Sequence, residues 1–135
     1  MSALFRFEIF TPYRSFFAEM VEAVILTLAD GEICIMNQHF PCTAPVVSGL
    51  LRIKTNDGNW RNAFVSSGIL EVTEVKTILL VDTAEWPGEI DTERALTSGK
   101  QARENLENAN LKFEIDKAKN EIRRSEYRLK VAELE

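Results

Sequence analysis

Apolar residues between positions 4 and 82 recur in short or alternating runs, and turn residues separate one run from the next. Alternation at every second position is typical of half-buried strands, and many short runs broken by turns are typical of a sandwich or barrel. The first run, at 4–9, leads into Thr11-Pro12, where proline should end ladder pairing. The pattern predicts seven to ten short strands in this part of the chain.

The clearest hairpin surrounds Asn56-Asp57-Gly58-Asn59, between apolar runs at 46–54 and 60–65. Glycine adopts positive φ without steric cost, so this cluster suits a tight connection between two antiparallel strands. Other runs predict strands at 21–28, 33–36, 69–73 and 75–81. Together they favour an all-β unit that ends before Trp86.

The pattern changes after Trp86-Pro87-Gly88, where β-branched residues become fewer and charged helix formers take over. The change predicts a boundary between a β domain at 1–86 and a helical region at 87–135. Asp91 suits a helix N-cap, which predicts a first helix at 92–106, and a second helix is expected at 111–132. Small or apolar residues recur every three or four positions in both helices and predict a close antiparallel hairpin; they are Ala95, Gly99, Ala102, Leu106, Leu111, Ile115, Ala118, Ile122, Ser125, Leu129 and Ala132.

Composition and charge restrict the class of protein. Of the 135 residues, 45% are hydrophobic and 27% are charged, which is ordinary for a folded globular protein. The net charge of -5 argues against nucleic-acid binding, which needs clustered cations. No uninterrupted apolar run reaches the length of a bilayer-spanning helix, and the first residues lack the pattern of a signal peptide. These observations predict a cytoplasmic protein without direct membrane insertion, in which Cys34 and Cys42 stay reduced.

The sequence offers no catalytic or metal-binding constellation. His39 is the only histidine, and with Cys34 and Cys42 it lacks the paired spacing of structural zinc ligands. Neither common glycine-rich phosphate loop is present. Acidic residues of the β region, such as Glu8 and Glu71, show no spacing that selects an acid-base pair. The sequence therefore predicts a protein that is not an enzyme and needs no metal.

Several segments, in order, resemble the epsilon subunit of bacterial F-type ATP synthases over essentially the whole chain. The opening FEIFTP at 7–12 looks like that family's first strand and turn, and GEICIMNQHFP at 31–41 looks like its Gly-x-Leu-Gly-Val-Leu-Pro-x-His-x-Pro segment. GLLRI at 49–53 and SGILEV at 67–72 follow in the family's order. Cys34, Asn37 and Ser67 depart from the family's glycine, proline and glycine.

The resemblance implies a ten-stranded N-terminal β-sandwich followed by a C-terminal antiparallel helical hairpin. It also implies a rotor-stalk role, with the gamma subunit and the ring of c subunits as partners, and the alpha/beta catalytic hexamer as a partner when the hairpin extends. Such a subunit couples rotation between a proton- or sodium-translocating membrane ring and the catalytic head. It would lie peripherally at the cytoplasmic face of the bacterial plasma membrane.

A second resemblance lies at the start of the first helix. Ile90-Asp91-Thr92-Glu93-Arg94-Ala95 matches the Ile/Leu-Asp-x-x-Arg-Ala motif with which some of these subunits bind ATP, and Glu85 lies five residues earlier, as an acidic residue does there. The resemblance implies that Glu85, Ile90, Asp91, Arg94 and Ala95 contribute to a regulatory ATP site. The alternative interpretation is an ordinary N-cap followed by a solvated arginine.

The second helix adds an arginine pair, Arg124 and Arg128, spaced i and i+4 so that both guanidinium groups share one helical face. ATP-binding members have arginines at this spacing, which implies that Arg124 and Arg128 bind phosphates; a solvated basic face is the alternative. Another basic position expected early in the first helix is not clearly matched, because Lys100 and Arg103 flank Gln101. Magnesium stays open as a companion of the nucleotide, because no evident metal cage accompanies the motif.

Three functions therefore compete. The first is a stalk subunit whose hairpin senses ATP, and the second is the same subunit with a nucleotide-independent inhibitory or structural tail. The third is a stand-alone β-sandwich binding module, for which a cluster of exposed aromatic residues would be expected. Trp60 and Trp86 lie apart in the sequence and form no such cluster.

Overall fold

The computed structural model describes residues 3–134, which form nine strands followed by two long helices. A 3₁₀ turn at Pro87–Glu89 joins the two parts. The strands and helices are β1 (Phe5–Phe10), β2 (Ser15–Leu28), β3 (Gly31–Met36), β4 (Cys42–Val46), β5 (Gly49–Thr55), β6 (Trp60–Val65), β7 (Gly68–Val72), β8 (Thr77–Val81), β9 (Ala84–Glu85), α1 (Thr92–Asn108) and α2 (Lys112–Ala132). The predicted class, a β-sandwich followed by a helical hairpin, is confirmed.

The strand count departs from the ten that the resemblance implied, because the described residues contain nine. The strands are ordered β4-β7-β8-β1-β2-β5-β6-β9, and β3 pairs with β2 outside this path. Strand β2 runs unbroken for 14 residues, and its register against β5 shifts between Val21 and Ala23. Its first half pairs with β1 and its second half with β3 and β5. One continuous strand therefore pairs with β1, β3 and β5 in turn, whereas the apolar pattern predicted only 21–28 as strand.

The main core lies between the sandwich layers and follows the predicted alternation. In β1, Phe5, Phe7 and Ile9 are buried while the residues between them are partly exposed. The same core includes Leu51 and Ile53 of β5. Its fully buried members all lie within residues 5–84, so the described helices contribute none of them. The β domain at 1–86 and its independence from the helices remain predictions.

The two helices form the expected antiparallel hairpin, and their bounds lie within two residues of the prediction. Ala95, Gly99 and Ala102 of α1 are buried, as are Ala118 and Ser125 of α2. A Cβ on Gly99 would lie 2.6 Å from Ser125 Oγ and 3.2 Å from Ser125 Cβ, so any side chain at this position would force Ser125 to move. The predicted seam is wrong at its ends, because Leu111 is 57% exposed and Val131, not Ala132, is fully buried.

The last turns of α2 pack on β5 and β6 of the sandwich. Phe64, Ile90 and Val131 form a second, smaller apolar cluster, with Leu50 and Tyr127 packed against it. This explains why Ala63, Phe64 and Val65 are buried in succession, which simple alternation does not predict. One face of β6 meets the sandwich core, and α2 covers the other.

Candidate functional site

A cleft of about 830 Å³ opens between α1, α2 and the segment that follows β8. The sandwich contributes Thr83 and Glu85 to its lining, and the 3₁₀ turn contributes Glu89. The first turns of α1 and the last turns of α2 supply the other walls. Because the helices are antiparallel, residues from opposite ends of the hairpin sequence meet there.

The cleft brings together nearly all of the site residues predicted from the sequence. Its lining includes Glu85, Asp91, Arg94, Ala95, Arg124 and Arg128. Ile90 is the exception, because it is 9% exposed and packs with Phe64 and Val131 in the smaller apolar cluster. Ile90 therefore belongs to the apolar contact between α2 and the sandwich.

Asp91 holds the first turn of α1 in place. It is the N-cap, and its Oδ1 accepts a hydrogen bond from the backbone N–H of Arg94 at 3.1 Å. The positive end of the helix dipole and the exposed Arg94 side chain meet at this turn. The turn consequently has the cap predicted from the sequence, and it places the Arg94 guanidinium and the positive end of the helix dipole beside the carboxylates of Asp91 and Glu93.

The two α2 arginines that line the cleft differ in their surroundings. Arg128 donates from Nε to Glu85 Oε1 at 2.9 Å, and its guanidinium carbon lies 4.8 Å from the centre of the Phe64 ring. Arg124 Nε is buried and has no hydrogen-bond partner among residues 3–134. Within this cleft Glu85 already neutralises Arg128, whereas Arg124 retains hydrogen-bonding capacity.

Glu89, another acidic residue of the lining, is paired from outside the cleft. Its carboxylate accepts hydrogen bonds from Arg14 at 2.9 and 3.1 Å and from the backbone N–H of Trp86 at 2.9 Å. The Arg14 guanidinium lowers the pKa of Glu89, and the Trp86 N–H adds to this effect. Glu89 therefore stays ionised and fixes the turn that leads into α1.

Seven lining residues were not predicted as site residues: Thr83, Glu89, Thr97, Ser98, Gln101, Glu121 and Ser125. The helical members had a sequence signal, because 97, 98 and 101 follow Arg94 at spacings of three, four and seven, and 121 precedes Arg124 by three. Gln101 donates to Asn105 Oδ1 at 3.0 Å and lines the cleft between Lys100 and Arg103, neither of which does so. The neutral amide leaves the cleft with three arginines in its lining.

Residues outside the cleft show no metal-binding arrangement within the described chain. Positions 3–134 hold no group of three or more His, Cys, Asp or Glu side chains that could bind a metal ion. His39 Nδ1 lies 2.9 Å from the carbonyl oxygen of Phe40, at a partly exposed turn. Neither helix of this described region is long and apolar enough to cross a membrane.

The architecture defines a class of two-part proteins, in which a β-sandwich carries an antiparallel helical pair that packs on β5 and β6. Residues 4–87 match the family model described as ATP synthase, Delta/Epsilon chain, beta-sandwich domain. The ATP synthase epsilon chain of Caldicellulosiruptor bescii is 42% identical over 131 residues, which cover 97% of this chain and 95% of that one. The epsilon chain of Staphylococcus aureus is 38% identical over 128 residues, covering 94% and 95%.

The chain belongs to the ATP synthase epsilon chain family. This confirms the resemblance that the sequence motifs carried. The epsilon chain of Caldanaerobacter subterraneus subsp. tengcongensis is 40% identical over 133 residues, which cover 98% of this chain and 96% of that one. The match therefore includes the helices as well as the sandwich.

Two solved structures share the fold at low sequence identity. A chain of the Euglena gracilis mitochondrial ATP synthase, described as OSCP/F1/c-ring, superposes with a TM-score of 0.82 at 18% identity, covering 100% of this chain and 84% of that one. A chain of the Tetrahymena thermophila central stalk and c-ring gives a TM-score of 0.71 at 13% identity, covering 97% and 98%. At these identities the likeness shows the architecture.

Proposed function

We propose that this chain is a non-catalytic central-stalk subunit of a bacterial F-type ATP synthase, and that its helical hairpin regulates ATP hydrolysis by binding ATP in the cleft. Its family membership supports the assignment to the synthase, and the fold neighbours from stalk and c-ring assemblies support the position. The partners are the gamma subunit, the c-subunit ring and, when the hairpin extends, the alpha/beta hexamer. The subunit lies peripherally at the cytoplasmic face of the plasma membrane.

The observation that carries the ATP proposal is the convergence of Arg94, Arg124 and Arg128 on one cleft from both helices. A volume of about 830 Å³ falls within the range of about 300–1,000 Å³ that is usual for small-molecule sites. Guanidinium groups match phosphate oxygens in geometry and charge. Glu85 and Asp91 offer carboxylate acceptors for the hydroxyl and amino groups of a nucleoside.

In this arrangement, ligand binding favours the docked state of the hairpin over the extended one. Arg94 and Arg124 line one cleft only when the helices are antiparallel, and Glu85 joins them only when α2 lies on the sandwich. A nucleotide that contacts all three residues therefore favours this docked state. A ligand shifts such an equilibrium by its differential affinity for the two states. ATP is thus a regulatory ligand and not a required cofactor, and no protein ligands for magnesium are proposed.

A second candidate function is an inhibitory or structural tail that ignores nucleotide. The ion pair between Glu85 and Arg128 favours this second function, because an acidic side chain of the protein already neutralises one arginine of the cleft. The apolar contacts of Val131 with Phe64 and Ile90 also hold the hairpin down without a ligand. The two candidates differ in whether ATP changes the population of the docked state.

A reconstituted complex of hexamer, gamma subunit and this chain tests the proposal. We expect the full chain to inhibit ATP hydrolysis at low ATP and to release that inhibition as ATP rises. A chain ending at Pro87 supplies the baseline turnover at each ATP concentration, and Arg124→Ala should need more ATP for release. Equal inhibition at every ATP concentration would favour the nucleotide-independent tail. Failure to co-purify with the gamma subunit would contradict the stalk assignment and revive the stand-alone module.

A further inference from the structure

Arg123 and Arg124 are adjacent on α2 but face different parts of the molecule. Arg123 donates from Nε to the backbone carbonyl oxygen of Ser48 at 2.8 Å. Arg124 lines the cleft instead. Successive residues on an α-helix are separated by about 100°, so neighbouring side chains can serve two surfaces. The residues at 123, 127 and 131 form the face that meets the sandwich, and those at 121, 124, 125 and 128 form the face that meets the cleft.

Arg123 contacts a well-packed part of the sandwich surface. Ser48 lies between β4 and β5 and is only 1% exposed. The guanidinium carbon of Arg123 also lies 4.9 Å from the centre of the Tyr127 ring. Tyr127 in turn lies beside Gly49, where an added Cβ would be 3.8 Å from Tyr127 Cε1. Arg123 and Tyr127 together enclose the start of β5.

We propose that Arg123 is a positioning residue, which docks α2 on the sandwich through the Ser48 carbonyl and thereby turns Arg124 and Arg128 toward the cleft. The docking step needs no nucleotide, because both hydrogen-bonding partners belong to the chain. Its consequence for ATP rests on the function proposed above. A hydrogen bond from an ionised donor is stronger than one between neutral groups, and removing Arg123 leaves the part-buried Ser48 carbonyl of the docked state without that donor.

Substitutions of Arg123 and Arg124 should therefore have different effects, the first on docking and the second on ligand binding. Loss of Arg123 releases α2 from the sandwich and weakens ATP binding only indirectly, so saturating ATP should restore docking. Loss of Arg124 leaves the hairpin docked and weakens ATP binding directly. Lysine at position 123 can also donate to the Ser48 carbonyl, so Arg123→Lys should retain part of the docking.

Electron–electron distance measurements on the full chain can test this separation. One spin label is attached to the exposed Cys34 and another to Lys119→Cys on the exposed face of α2, with Cys42→Ser in every variant. Without ATP, we expect one narrow distance for the parent and for Arg124→Ala. Arg123→Ala should give a broad distribution, with the docking equilibrium reduced about ten-fold or more, and Arg123→Lys should fall between them.

Circular dichroism verifies that the sandwich is folded in each variant, and calorimetry gives the ATP affinity. A narrow, unchanged distance in Arg123→Ala would overturn the proposal, as would equal broadening in Arg124→Ala. Broadening in Arg123→Ala that saturating ATP reverses would support both the docking role and the ATP site. If Arg123→Ala broadens while the parent shows no ATP binding, the docking role is supported and the ATP proposal fails.

Discussion

Arg128 and Glu85, which lie 43 positions apart, form an ion pair at 2.9 Å between the end of α2 and the last residue of β9. Both side chains are about one-quarter exposed. The pair therefore joins the hairpin to the sandwich in a setting that is screened less than a free surface. It also places an internal carboxylate beside an arginine that the sequence motifs assign to phosphate.

A double-mutant cycle measures how much this ion pair stabilises the docked protein. We expect Glu85→Gln and Arg128→Gln to be non-additive in chemical unfolding, with a coupling energy of about 0.5–1 kcal/mol, because the pair is partly protected from water. Glu121→Gln with Arg128→Gln is the matched control. A coupling indistinguishable from zero would show that the pair does not hold the hairpin.

The close approach of the helices at Gly99 predicts a sharp steric effect. Leucine at this position is a better helix former than glycine, but its side chain would collide with Ser125. We expect Gly99→Leu to destabilise the hairpin by about 1–3 kcal/mol, seen as loss of helical circular dichroism at lower temperature. Lys100→Leu, at the adjacent exposed position, should not do so. Equal stability of the two variants would contradict the tight packing.

Removal of the helices tests the predicted domain boundary. A chain ending at Pro87 retains all the residues of the main core, so it should give β-type circular dichroism and unfold cooperatively. Its midpoint should fall by roughly 5–10 °C, because Phe64 loses its cover from Ile90 and Val131. Absence of a cooperative transition would show that the helices complete the sandwich.

The pairing of Glu89 with Arg14 predicts a dependence of stability on pH. Because Arg14 lowers the pKa of Glu89 below its ordinary value of 4.5, the pair stabilises the fold above that value. This contribution is lost as the pH falls below 4.5 through the lowered pKa of the folded state. Glu8 and Asp57 also have lowered pKa values, so the effect of Glu89 must be isolated by difference.

Chemical unfolding of the parent and Glu89→Gln from about pH 7 to about pH 3 supplies that difference. The gap in unfolding free energy should be largest near neutrality and should shrink in acid. Arg14→Gln should behave as Glu89→Gln does. A gap that is constant over the whole pH range would contradict the assigned ionisation.

The local features of this fold were predictable from the sequence. Capping chemistry and helix periodicity act within a few residues, so Asp91 and the bounds of α1 and α2 followed from neighbouring positions. The turn at 56–59 has the same local character, and Gly58 adopts φ of 85°. Six of the predicted site residues meet in the cleft because the antiparallel hairpin brings its two ends together.

Long-range pairing could not be predicted in the same way. Nothing near Glu85 indicates that its partner is Arg128, and nothing near Arg123 identifies the Ser48 carbonyl, because these contacts depend on how α2 meets the sandwich. The start of β2 at Ser15 was missed for a related reason. Its first residues alternate less clearly and gain their strand conformation from pairing with β1.

Calorimetric titration of the isolated full chain with ATP tests the central claim, that the cleft is a nucleotide site, most directly. We predict saturable binding by the parent, binding about ten-fold weaker or more for Arg124→Ala, and unchanged binding for Lys119→Ala, an exposed cation of α2 outside the cleft. ADP and GTP titrations under the same conditions report on phosphate and base recognition. Absence of saturable heat at about millimolar ATP, or equal affinity in the parent and Arg124→Ala, would contradict the claim.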